Sequence, residues 1–234
     1  MNSKWTTALA IATATMALGG VAAAQEKDQS VMKKSDALAP ATDSVELTVG
    51  TGYAQGFGDI AANRPNLTDV GQPGGSVQIG VGYRVIPQLS LGVYGTGAMF
   101  SRGDQVDSSS NLYSATAGVE AAWHFLPSAN QLDPWVSLGT GWRGYWIHGD
   151  QGTTSLQGLQ LAKLQAGLDY RVSREIAISP VIGADLSMFL SESTPFASGF
   201  SNITDPKVNT FLFGGLQGRF DIPVGSDSSR VASR

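Results

Sequence analysis

Two histidines, a scatter of carboxylates and a few hydroxyl clusters are the side chains with which this chain could do chemistry. His148-Gly149-Asp150 is followed by Thr153, Thr154 and Ser155, so an imidazole, an acid and several hydroxyls crowd one stretch. These are the residue types of a hydrolytic or acyl-transfer set, but a triad is defined by geometry rather than by composition. The same residues are ordinary in a polar loop, and the expectation is that the chain is not an enzyme. His124 stands apart, on the polar phase of its segment, where a hydrogen-bonded interior histidine is expected. Asp104, Asp107, Asp150 and Asp205 lack the spacing of a calcium loop, and Asp59, Asn63, Asn66 and Asp69 read as turn formers. The glycines alternate with apolar residues instead of forming a phosphate-binding loop. The 234 residues include no cysteine, which excludes disulfides, thiol catalysis, thiolate metal sites and a lipidated cysteine anchor. No cofactor and no metal are expected.

The elements that would position these residues are strands. Apolar residues recur at every second position in eight segments, 45–54, 77–85, 89–100, 112–125, 135–147, 159–172, 176–190 and 208–222. That is the strand period, and no convincing helical period competes with it. The clearest run is Val77-Gln78-Ile79-Gly80-Val81-Gly82-Tyr83-Arg84-Val85, apolar or aromatic at every odd position. The links alternate between short (86–88, 126–133, 173–175) and long (55–76, 101–111, 148–158, 191–207). An even number of strands joined this way predicts an all-β fold, an eight-stranded antiparallel up-and-down barrel.

Composition places that barrel. Charged residues are 15%, hydrophobic residues 42%, and there are 29 glycines. A net charge of −4 argues against a nucleic-acid partner. Residues 1–24 read as a signal peptide: Lys4, an uncharged stretch rich in Ala, Leu, Ile and Met, then Ala22-Ala23-Ala24 before Gln25. Residues 25–43 and 223–234 are polar and read as a flexible lead-in and tail around a folded 44–222.

The two faces of the strands differ in kind. One carries Val81, Leu91, Val119, Leu138, Leu164, Ile182 and Leu216 and no charge. Its aromatics collect at the ends, with Tyr83, Trp123, Phe125, Tyr170 and Phe220 beside the short turns and Trp142 and Trp146 beside the long loops. Rings at two levels are expected of a transmembrane barrel's interfaces. The other face is glycine, small polar residues and ten charges: Glu46, Glu120, Asp169, Asp185 and Asp221 against Arg84, Arg143, Lys163, Arg171 and Arg219. Buried charges are normally paired, so a balanced set fits a narrow, filled polar lumen, which is all that eight strands enclose.

With its signal-like 1–24, its eight segments across 44–222 and strands such as Gly50-Thr51-Gly52-Tyr53 and Gly80-Val81-Gly82-Tyr83, the chain resembles the small outer-membrane barrels of the OmpA, OmpX and OmpW types. The resemblance implies a Gram-negative outer membrane, lipid and lipopolysaccharide as surroundings, and insertion by the barrel-insertion machinery. The residue such proteins end on corresponds here to Phe220, which 14 residues follow. The expected role is a structural or surface-contact barrel presenting four loops outside, with an unidentified loop-binding partner. The alternatives are a narrow OmpW-like pore for ions or small hydrophobic molecules and, third, a lipid-modifying enzyme.

Overall fold

The computed structural model describes residues 43–224 apart from 63, 108, 128–130 and 197. The stretch expected to be a signal peptide, and nearly all of the expected lead-in and tail, lie outside the described residues. Within them the alternating segments form strands β1 (Ser44–Phe57), β2 (Gly71–Ile86), β3 (Leu89–Arg102), β4 (Asn111–His124), β5 (Leu132–Gly149), β6 (Gly152–Arg171) and β7 (Ile176–Ser193). A two-residue β8 (Ser201–Asn202) and the long β9 (Val208–Pro223) follow, and one helical turn, α1 (Leu67–Val70), precedes β2. Each long strand pairs antiparallel with its chain neighbour, and β1 also pairs with β9, from Ser44↔Pro223 to Phe57↔Thr210. Eight strands therefore close into a ring with no free edge, and β8 only extends the end of β7.

Alternation decides what each face meets. Val49, Val81, Val93, Val119, Leu138, Leu164, Ile182 and Leu216 all point outward and are exposed. The opposite phase points into the barrel, where Arg84, Lys163, Asp169 and Gln217 are buried. The usual order of a folded domain is inverted, with polar groups inside and an apolar belt outside.

Three local features depart from simple alternation. A bulge at Leu161–Ala162, opposite Thr140, shifts the phase of β6, so Gln160 and Lys163 both face inward although they are three residues apart. Pro180, which has no N–H to donate, lies where the β6–β7 ladder breaks between Gly167↔Val181 and Tyr170↔Ile178. There the Ser179 hydroxyl donates to the Asp169 carboxylate across the gap. The long link expected at 148–158 is instead a tight turn. β5 and β6 continue pairing to Gly149↔Gly152, so only Asp150 and Gln151 connect them, and Gly152 takes a φ of 124° that favours glycine. Hairpin pairing extends as far as the backbone permits, whatever the polarity of the exposed side chains.

A guanidinium on the apolar belt should be costly in lipid and harmless on a loop. Leu138→Arg is expected to lower unfolding stability in lipid vesicles by about 2–4 kcal/mol, whereas Ser198→Arg, at an exposed position beyond β7, should leave it unchanged. Equal costs at the two positions would mean that the belt does not face lipid.

Candidate functional site

The chemistry-bearing side chains meet inside the barrel. At the short-turn end Arg219 of β9 contacts Glu46 of β1, and its Nε is 2.9 Å from Asp169 Oδ2 of β6. Arg84 of β2 places Nη2 3.1 Å from Glu46 Oε2 and 3.5 Å from Asp221 Oδ1. Arg171 of β6 reaches Asp221 Oδ2 at 2.8 Å. All six side chains are buried. Nearer mid-barrel, Lys163 Nζ lies 2.8 Å from Glu120 Oε2 and Arg143 Nη2 lies 2.5 Å from Asp185 Oδ2. Each of the ten charges expected in the lumen thus has an oppositely charged neighbour.

Aromatic faces supply a second contact to three of the cations. Arg143 stacks 3.8 Å from the Phe211 ring centre, Lys163 sits 3.7 Å from that of Tyr94, and Arg219 lies 5.1 Å from that of Trp135. Such bulk fits only where the facing wall has no side chain. A Cβ on Gly167 would come within 2.6 Å of the Trp135 ring.

The same charges hold the short turns. Arg84 donates to the Pro87 carbonyl at 2.9 Å in the β2–β3 turn, and Arg171 to the Arg174 carbonyl at 3.3 Å in the β6–β7 turn. In the β4–β5 turn the Leu126 N–H donates to Asp133 Oδ1 at 3.0 Å. Asp133 was assigned to a link by the sequence pattern. It belongs to β5 and is buried, and its Oδ2 is 2.8 Å from His124 Nδ1. Pro134 after it and a polar neighbourhood before it hid its strand character. Gln160, which accepts the Tyr94 hydroxyl at 2.6 Å, was missed because the bulge reverses its phase. The conflicting alternations of Leu159-Gln160-Leu161 and Leu164-Gln165-Ala166 were the available signal.

His124, Asp133 and Asp169 bring their ligand-type atoms within 4.8 Å of one another, the only such grouping among the described residues. A metal there would compete with groups already in place, since Asp169 is engaged by Ser179 and by Arg219. The arrangement serves as a hydrogen-bonded, charge-compensated corner. At the other end of the barrel, His148 packs edge-on against Tyr113 at 5.4 Å. It faces Thr153 in the β5–β6 ladder, but among the described residues no side-chain hydrogen bond joins its imidazole to Asp150, Thr153, Thr154 or Ser155, and no triad is assembled. Of the outward aromatics, Tyr83, Trp123, Phe125, Tyr170 and Phe220 are exposed near the short turns. Trp142 and Trp146 lie 6.0 Å apart, tilted at 56° to each other over Gly144, on the outer wall toward the long loops.

The long-loop end is closed differently. Residues 58–62 and 64–70 fold back over the mouth and insert Ile60, Leu67 and Val70 among Phe100, Leu112, Tyr145, Phe189 and Phe211, a hydrophobic cluster. Backbone bonds hold this segment down: Leu67 N–H to the Gly58 carbonyl at 2.9 Å, Gly103 N–H to that of Val70 at 2.9 Å, and Ala62 N–H to that of Asp205 at 3.2 Å. Asn66 caps α1 by accepting from the Thr68 N–H. Arg64, 2.5 Å from Glu192, ties the segment to β7.

A closed ring of eight antiparallel strands, apolar outside and charged within, is the architecture of the small outer-membrane β-barrels, and this chain has that fold. Neisserial surface protein A superposes with a TM-score of 0.50 at 15% identity, over 75% of this chain and 96% of that one. OprG of Pseudomonas aeruginosa gives 0.49 at 11% identity, over 79% and 99%, and outer membrane protein W of E. coli gives 0.40 at 14%, over 75% and 97%. No family model and no curated protein matches the sequence.

Removing one member of the buried network should strand its partners. Arg219→Met is expected to cost about 3–5 kcal/mol in urea unfolding, the usual penalty for an uncompensated buried charge. Adding Asp169→Asn should recover part of that loss. A double variant as unstable as the sum of the two single variants would show that the charges do not act together.

Proposed function

We propose that this is a closed structural and surface-contact barrel of a Gram-negative outer membrane, spanning it with eight strands and displaying its long loops outside. The observation that carries this reading is that the lumen is stopped twice, by ion pairs at the short-turn end and by the apolar cluster under residues 58–70 at the other. Ion pairs at 2.5–3.5 Å leave little free space for a solute, and the apolar stopper adds a dewetted barrier beyond them. Short turns on the periplasmic side and longer loops outside are the arrangement of such barrels. The belt of Val, Leu and Ile would meet lipid, and the aromatics at its two ends would sit at the interfaces. Lipid and lipopolysaccharide are then its immediate surroundings and the insertion machinery its route into the membrane.

Two measurements test this. Protein from isolated outer membranes should run faster on a gel unboiled than boiled, as a detergent-resistant barrel does; recovery only in the soluble periplasmic fraction would refute the membrane assignment. In planar bilayers the purified barrel should produce no reproducible conductance steps. Uniform steps would replace the closed reading with that of a narrow pore.

A further inference from the structure

A cavity far roomier than the small voids of the lumen lies outside it. It is a cleft of about 320 Å³ on the loop side of the stopper, bounded by Ile60 and Val70, by Gln105–Asp107, by the β5–β6 turn and by Pro195 and Phe196. Its floor is aliphatic: Ile60, Val70 and Leu156 belong to the apolar cluster, and Val106 and Ile147 pack against it. The floor is also the roof of the stopper, so the cleft is blind. A molecule entering it would be held, not passed on.

The rim differs from the floor in being polar and acidic. Asp107 is exposed and its carboxylate has no partner among the described residues, while Ser110, Gln151 and Thr154 offer neutral polar groups beside it. The lining's one base, Arg64, is committed to Glu192 at 2.5 Å. The surrounding connections carry Asp59, Asp69, Asp104, Asp107, Asp150 and Asp205 against Arg64, Arg102 and Lys207, six acids to three bases, so the local field favours a cation. Phe196, 82% exposed, stands at the edge with its ring available to a second apolar surface.

From this geometry we infer that the cleft is a binding site for a small amphipathic amine, its apolar body on the aliphatic floor and its ammonium group at Asp107. Size sets the body. An apolar cavity of about 150 Å³ holds a benzene ring, so a cleft twice as large takes a ring with a short alkyl chain. Charge sets the head, because a carboxylate ligand would meet Asp107 and Glu192, and the lining's one base, Arg64, is already paired. A neutral ligand would leave the Asp107 charge unused. The cleft lies above the stopper, so the inference holds whether or not the lumen conducts. Only its exposure to the cell's surroundings rests on the orientation proposed above.

The test uses three matched probes, phenylbutylamine, phenylbutanol and phenylbutyrate, titrated into the full barrel in nanodiscs of zwitterionic lipid. Binding is read from the methyl NMR signals of Val106, Ile147 and Leu156. The amine should give saturable shifts and bind about tenfold more tightly than the alcohol, the worth of one charge-assisted hydrogen bond, with the carboxylate weaker still. Asp107→Asn should bring the amine to the level of the alcohol and leave the alcohol unchanged. Thr154→Trp, which fills the cleft from its rim, should abolish the shifts while the unboiled gel mobility shows the barrel still folded. Equal binding of all three probes, insensitivity to Asp107→Asn, shifts that survive Thr154→Trp, or no saturable shift at all would each overturn the assignment. Conductance tests the lumen separately, so a failure here is distinct from a failure of the closed-barrel reading.

Discussion

Compensation of charge inside a narrow lumen is the constraint on which the rest of this structure depends. Arg219 sits between Glu46 and Asp169, and Arg84 and Arg171 share Asp221, so one network joins β1, β2, β6 and β9 across the ring. A guanidinium out of water keeps its charge and must find carboxylates or cost several kcal/mol. The network therefore selects one register among those that backbone pairing alone would allow, because a slip of one residue would turn the charges onto the apolar belt. The bonds from Arg84, Arg171 and Asp133 to the three short turns extend the same control to the connections.

The opposite end is governed by the hydrophobic effect. Among the described residues no buried ion pair lies beyond Arg143 and Asp185. Phe100, Leu112, Tyr145, Phe189 and Phe211 present an apolar well, and the 58–70 segment fills it with Ile60, Leu67 and Val70. Leaving that well open to water would expose several large side chains at about 1.5–3 kcal/mol each. The two ends thus use different physics to the same effect: one is closed by paired charges that need a rigid wall, the other by a loop that packs as a small domain core would.

The outer surface has neither kind of closure. Its apolar belt gains nothing from folding in water and is satisfied only by an apolar surrounding, which is why a ring with no free edge and an outward row of Val, Leu and Ile belongs in a bilayer. Glycine serves both faces, leaving room for Trp135 inside at Gly167 and for Trp142 and Trp146 outside at Gly144.

The alternation of residues, by itself, determined the strand number, the apolar and polar faces and the ten interior charges, because a two-residue period maps directly onto the two sides of a sheet. It missed Gln160 and Asp133 for a physical reason. A bulge reverses the phase of β6, marked only by a switch of the apolar positions from odd to even between Leu161 and Leu164, and a strand end beside a proline looks like a turn. It also read 148–158 as a long loop, since polarity does not reveal how far a hairpin keeps pairing. Only the tertiary structure decided which charge meets which, that His124 bonds Asp133, and that residues 58–70 turn inward. The charge pairing depends on strands far apart in the chain meeting across the lumen, the His124–Asp133 bond on how far the β4–β5 hairpin keeps pairing, and the inward turn on a loop reaching an apolar well that exists only once the ring has closed.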